Sequence, residues 1–201
     1  MATRAIQRVN QRMRFLGRIS PFVDKQALRT LAGALIQPLF DYACTSWYSG
    51  ISMSQKNKLQ TSQNKLIRLL LGLGPMTHLY AAHFDSIGWL RVEDRVNQLK
   101  MGITFKIVNS ALPSMSLVPS YLVEYLQKVS NSHRHNTRGS VNNDLVPPIW
   151  RTNIGKSTFR STATQLWNAL PPSLKTSCSL VSFKKGLKSY LQVSLRQRER
   201  I

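Results

Sequence analysis

The sequence predicts an all-α fold, and three observations carry that prediction. Apolar residues recur at three- and four-residue steps along most of the chain. The stretches so marked end at proline or glycine stops. The one strand candidate, Leu145–Trp150, is interrupted by Pro147-Pro148 and is at best an irregular edge. With 201 residues, 42% of them hydrophobic, the chain is long enough for a core of ordinary size in one or two domains.

The elements follow in order. Residues 3–18 place Ile6, Val9, Met13 and Leu16 on one helical face, among arginines, and Ser20-Pro21 ends the run. Asp24 is placed to cap a helix from Lys25 to about Tyr42, with Leu28, Leu31, Leu35 and Leu39 as its inner face. Pro38 should kink that helix or mark its last turns. Ser52 and Gln55 have capping-box spacing for a third helix, Met53 to Leu71, stopped by Gly72 and Gly74-Pro75. Thr77 is expected to cap a short helix through Ser86, ended by Gly88. Val92, Val96, Leu99, Ile103 and Ile107 mark the clearest core helix. Leu112-Pro113 to Pro119 is a break, and Pro119 suits the first turn of a helix through Val129. Residues 130–144 hold almost no apolar side chains and read as a loop or linker. Two tail helices, 156–169 and 180–195, flank a Pro-Pro stop and a Ser/Thr-rich link.

Charge is the strongest compositional signal. Lys and Arg number 28 against 8 Asp and Glu, a net charge of +20. Folding does not require this, and self-repulsion opposes it, so a polyanionic partner is implied. Residues 1–23 carry Arg4, Arg8, Arg12, Arg14 and Arg18 without an acid, and no acid lies between Asp41 and Asp85. Residues 76–129 are nearly balanced, and the end of the chain is basic again. The cysteines, Cys44 and Cys178, do not make a secreted disulfide scaffold, which points to a reducing nuclear or cytoplasmic setting. The acid-free, Arg-rich start is also compatible with a mitochondrial transit peptide, although it continues as an ordinary amphipathic helix. No apolar run reaches the roughly 18 residues of a membrane span, so no membrane partner is expected.

Catalytic and metal-binding patterns are missing from the sequence. Gly155-Lys156-Ser157 resembles the end of a P-loop, but the motif's first glycine position is Trp150. His78 and His83, and His133 and His135, come without a cysteine or carboxylate at zinc spacing. Carboxylates are too scarce for a two-metal nucleotidyl-transfer site, which needs clustered acids. Glu93-Asp94, the adjacent pair, sits where a helix start favours acids. No catalytic residue and no cofactor is proposed. A basic surface with aromatic side chains remains, suited to neutralising phosphates and stacking on bases. Trp89, Trp150 and Trp167 lie in apolar neighbourhoods and are expected in the core, while Trp47, beside Tyr42 and Tyr48, is more open. The loop Arg134–Arg138 is the best single nucleic-acid candidate, against the alternative of a merely solvated loop.

Several segments are collinear with a known family. Ala34-Leu35-Ile36, Pro38, Asp41-Tyr42 and Trp47 form one; Leu59, Gln63, Ile67 and Arg68 a second. Gly88-Trp89-Leu90 with Val92 and Arg95, and Pro119-Ser120-Tyr121-Leu122, follow. Arg134, Thr137 and Arg138 come next, then Leu166-Trp167-Asn168-Ala169-Leu170-Pro171 with Leu174, Ser179, Phe183-Lys184, Leu187 and Leu191. In this order they resemble the C-terminal region of reverse transcriptases encoded by LINE-type (non-LTR, Jockey-like) retrotransposons. The resemblance implies that residues 1–75 correspond to a thumb-like helical bundle that grips template–primer. Residues 76–129 would be a helical connection, 130–155 a basic linker and 156–201 a helical tail, and residues 76–201 together would correspond to the C-terminal region that helps engage element RNA and target DNA. The family's chemistry belongs to an upstream palm whose F/Y-A-D-D turn and a further aspartate bind two magnesium ions, and this chain contains no such turn. The resemblance thus implies a nucleic-acid-binding fragment without its own catalytic site, whose partners are RNA, DNA, and the palm, fingers and endonuclease of a full-length element. Its expected contacts are Arg4, Arg8, Arg12, Lys56, Lys58, Lys65, Arg68, Arg134, Arg138, Lys184, Lys185 and Lys188. A standalone basic interaction protein and a non-functional remnant are the alternatives.

Overall fold

The structure, a computed structural model, describes residues 2–110, 118–132 and 138–199. It is all-α, with no strand among the described residues. No helix among them is long and apolar enough to cross a membrane. The chain forms two compact units, drawn along different limits from the segments read in the sequence. The first comprises Met1–Val96 with Leu191–Ile201, and the second Asn97–Tyr190.

In the first unit, α1 (Ala2–Ile19) buries Val9 and Leu16 and half-buries Ile6 and Met13, as its periodicity predicts. A 3-10 turn, Ser20–Phe22, follows at Pro21. Asp24 caps α2 (Lys25–Leu35), accepting from the Ala27 N–H at 2.8 Å. The helix expected to run to Tyr42 breaks at Ile36, and α3 (Gln37–Asp41) restarts it. Pro38 has no N–H to give and its ring crowds the carbonyl four residues back, so the break falls just ahead of it. The inner face also differs from the expected leucine row. Leu28, Ala32, Ile36 and Phe40 are buried at steps of four, while Leu31, Leu35 and Leu39 are half-buried flanks.

The chain then turns at Ala43, whose φ of 48° is left-handed, into α4 (Cys44–Trp47) and a 3-10 turn, Tyr48–Gly50. Helix α5 (Met53–Leu71) begins with the expected capping box. Ser52 Oγ accepts from the Gln55 N–H at 3.3 Å, and Gln55 Oε1 accepts from the Ser52 N–H at 3.2 Å. It ends at Gly72 (φ 68°), a conformation that glycine adopts without a Cβ clash. Helix α1 packs along α5, where the Ser62 hydroxyl meets Asn10.

Helix α6 (Ala81–Ile87) starts later than expected. His83 Nδ1 accepts the Tyr80 N–H at 3.0 Å, and Tyr80, not Thr77, is the cap residue. Thr77 instead offers its carbonyl to Arg68 Nε at 2.9 Å. Two α5 glutamines hold the next connection: Gln63 donates to the Leu90 carbonyl at 2.8 Å, and Gln60 accepts from the Val92 N–H at 3.0 Å. Helix α7 (Val92–Val108) begins in the first unit.

In the second unit, α7 is buried on most sides, so a single apolar face describes it poorly. Ile103 is 39% exposed, whereas Met101, Thr104 and Phe105 are buried. Helix α8 (Ser120–Tyr125) stops short of Val129 because the backbone there pairs with a distant segment. The Val129 N–H donates to Asp144 and the Val146 N–H to Gln127, both at 2.9 Å, forming an isolated antiparallel bridge at Lys128 and Leu145. That bridge is all that becomes of the strand candidate. The described parts of the polar linker carry α9 (Val129–Ser132) and α10 (Arg138–Val141).

A separate turn, α11 (Asn153–Lys156), precedes the first tail helix. That helix, expected from residue 156, is α12 (Phe159–Asn168), which starts later because Thr158 caps it by accepting from the Ser161 N–H. One turn, α13 (Pro172–Lys175), and the long α14 (Leu180–Arg198) complete the chain. The core of this unit is an aromatic cluster. Phe105 and Phe183 stack with centroids 4.4 Å apart, and Trp167 lies 6.0 Å from Phe183.

Candidate nucleic-acid interface

Residues four apart on a helix lie on one side, so Arg4, Arg8 and Arg12 form a row along α1. All three are exposed. Opposite them stand Pro38 and Leu39 of α3, then Tyr42 and Trp47 around the Ala43 turn. Together these side chains line a groove of about 440 Å³. Arg12 Nη1 donates to the Leu35 carbonyl at the end of α2, which fixes one end of the row. Trp47 Nε1 donates to the Tyr42 carbonyl at 3.0 Å, which fixes the aromatic corner. Tyr42 itself is 71% exposed. The left-handed Ala43 lies between the two aromatics, and such strain in a non-glycine residue persists only where its surroundings hold it.

The electrostatics of the first unit leave this row without a counter-charge. Asp41 pairs with Arg95 at 2.7 Å, Asp85 with Arg196 at 2.6 Å, Asp94 with Arg198 at 2.9 Å and Glu199 with Arg91 at 2.7 Å. Hydrogen bonding to Asp41 raises Arg95 further above its ordinary pKa, so the guanidinium keeps its charge. No ion pair among the described residues involves Arg4, Arg8 or Arg12. Sixteen Lys and Arg face six Asp and Glu in this unit, and twelve face two in the other, so both units are strongly basic.

The other expected contacts lie elsewhere. Lys58 and Lys65 are exposed on α5, and the Lys56 ammonium sits 5.1 Å from the Tyr48 ring centroid. Arg68 is half-buried and anchors the loop at Thr77. In the second unit, Lys184 and Lys185 are exposed on α14, Lys188 is half-buried, and Arg138 is exposed on α10. Arg134, like His133 and His135, lies outside the described residues. Of the expected contacts, then, the groove gathers Arg4, Arg8 and Arg12. Sequence reasoning marked Trp47 as open but did not connect it, or Tyr42, to the arginine row.

No family model matches the chain, and no curated protein or solved structure is similar to it.

Many of the residues that carry the family resemblance have structural roles within the fold. Trp167 is fully buried and donates from Nε1 to the Asn143 carbonyl at 2.8 Å. Asn168 accepts from the Leu145 N–H at 2.8 Å and donates to its carbonyl at 2.9 Å, as a neighbouring strand would. Asp41 with Arg95, and Gln63 with Leu90, tie other such segments together.

Among the described residues no three His, Cys, Asp or Glu side chains gather as metal ligands. His78 and His83 flank the Tyr80 ring instead. Gly155 of the P-loop-like string packs so closely under Trp150 that a Cβ there would lie 3.0 Å from that side chain.

Proposed function

We propose that this chain is a nucleic-acid-binding helical segment of the kind that follows the palm in LINE-type reverse transcriptases. It holds template–primer or element RNA through basic helical surfaces and contributes no catalytic group of its own. The observation that carries the reading is the row Arg4, Arg8 and Arg12, without an acidic partner, facing an exposed tyrosine across a groove. Arginine on a helix neutralises phosphates, and an exposed ring beside it offers a stacking surface.

Such binding is directed to the backbone and releases counterions. Six to eight neutralised phosphates give a log–log salt slope of roughly −5 to −7 on duplex DNA. The full chain is titrated against labelled polynucleotide from low to physiological salt. Replacing Arg4 and Arg8 together by Glu flattens the slope by about two and weakens binding across sequences. A salt-independent affinity, or one unmoved by the double charge reversal in a folded variant, rejects the reading and favours a protein partner.

A further inference from the structure

The groove beside α1 has dimensions that bear on which form of nucleic acid it takes. Four helical residues rise about 6 Å, so the arginine row repeats at that interval. A row of cations repeated along one line can follow the phosphates of a single backbone, as basic grooves that track one strand do. The facing wall is aromatic and apolar: Tyr42, Trp47, Leu39 and Pro38. At about 440 Å³ the groove falls within the size range of small-ligand sites, large enough for a nucleotide and too small to enclose a duplex.

A duplex also keeps its bases stacked inside, where Tyr42 cannot meet their faces. A single strand laid along α1 sets its phosphates on Arg4, Arg8 and Arg12 and turns a base toward the Tyr42 ring. Both walls are held in advance. Arg12 is tied to the Leu35 carbonyl, and Trp47 is tied to the Tyr42 carbonyl across the left-handed Ala43. Little ordering is then left for the moment of binding.

We infer that the groove between α1 and the Tyr42–Trp47 corner is a single-strand site, with the Tyr42 ring as its stacking platform. The inference rests on the nucleic-acid reading and narrows it from polynucleotide in general to an unpaired strand.

The test uses the full chain, a labelled 15-nucleotide oligothymidine, a 15-base-pair duplex, and matched salt. The single strand binds more tightly than the duplex. Tyr42→Ala loses about five- to 150-fold on the single strand, the range of one base–aromatic stack, and moves duplex affinity less than twofold. Tyr42→Phe, which keeps the ring, retains single-strand binding. Since Tyr42 is 71% exposed, the Ala variant keeps the parent's thermal melt, which is measured alongside. Equal affinity for the duplex, or an Ala variant that binds the single strand like the parent, overturns the single-strand site. If binding in either case still depends on salt and on Arg4 and Arg8, the broader nucleic-acid reading stands. Absence of any salt-dependent binding overturns both.

Discussion

Cys44 and Cys178 show how far position separates two identical side chains. Cys44 is 1% exposed, and burial, reinforced by Asp41, pushes its thiol up to about 11 from an ordinary 9.0. Cys178 is exposed. A thiol-reactive probe at pH 8 should therefore titrate one cysteine in the folded protein and both after unfolding; rapid reaction of two in the native state contradicts the buried placement. The same shift sets a sign for stability. The folded state holds the Cys44 proton more tightly than the unfolded chain, so the unfolded chain ionises first above about 9. Stability present below that pH declines as pH rises toward about 11, and the Tyr48 phenol, also pushed up by burial, adds in the same direction. Thermal melts across that interval measure the decline. Single residues of this kind were the least legible part of the sequence. Lys175 lies in the polar link between the tail helices, yet its side chain is 2% exposed and pairs with Asp144 at 2.6 Å. Lys100 is likewise buried, donating to the Thr162 hydroxyl at 2.7 Å. Local patterns give no warning, because the partners lie 31 and 62 residues away.

At the scale of elements, what could be read locally was read well. The capping box at Ser52, the Asp24 cap and the glycine stops at 72 and 88 follow from side chains within a few positions of one another. Helix faces that depend on a second surface were read less well. The α2 face lies beside the expected leucines, and α7 has hardly an outer face to find. The arginine row was legible from its spacing, but the wall opposite it needed the chain reversal at Ala43, which no local pattern announces. That reversal is itself open to measurement. An alanine at φ 48° bears a cost of about 1–2 kcal/mol that glycine avoids. Ala43→Gly should leave stability unchanged or raise it by up to about 1 kcal/mol, the relief being partly offset by the greater freedom of the unfolded chain. A loss of more than about 1 kcal/mol in denaturant unfolding contradicts the left-handed turn.

For the whole molecule, the all-α class was legible from periodicity and stops, whereas the grouping of helices into units was not. Proximity along the chain suggested consecutive segments, but Leu191–Ile201 belongs with Met1–Val96. Its attachment combines a buried Leu195 with the pairs Arg196–Asp85, Arg198–Asp94 and Glu199–Arg91. Arg196 and Arg198 are more than half exposed, so their pairs are screened by solvent and Leu195 contributes the larger share. Ending the chain after Tyr190 should destabilise the first unit by roughly 2–3 kcal/mol, with faster amide exchange in α6 and in the first turn of α7. Unaltered exchange there would mean that the C-terminal residues add nothing to the unit.

That grouping also has a consequence for biosynthesis. Residues 2–96 leave the ribosome long before residues 191–199 are made, and at 5–20 residues per second the interval is about 5 to 20 seconds. Throughout it Asp85 and Asp94 wait for Arg196 and Arg198, while the arginines of α1 are already displayed. The nascent first unit is thus basic and incomplete until residues 191–199 have been made.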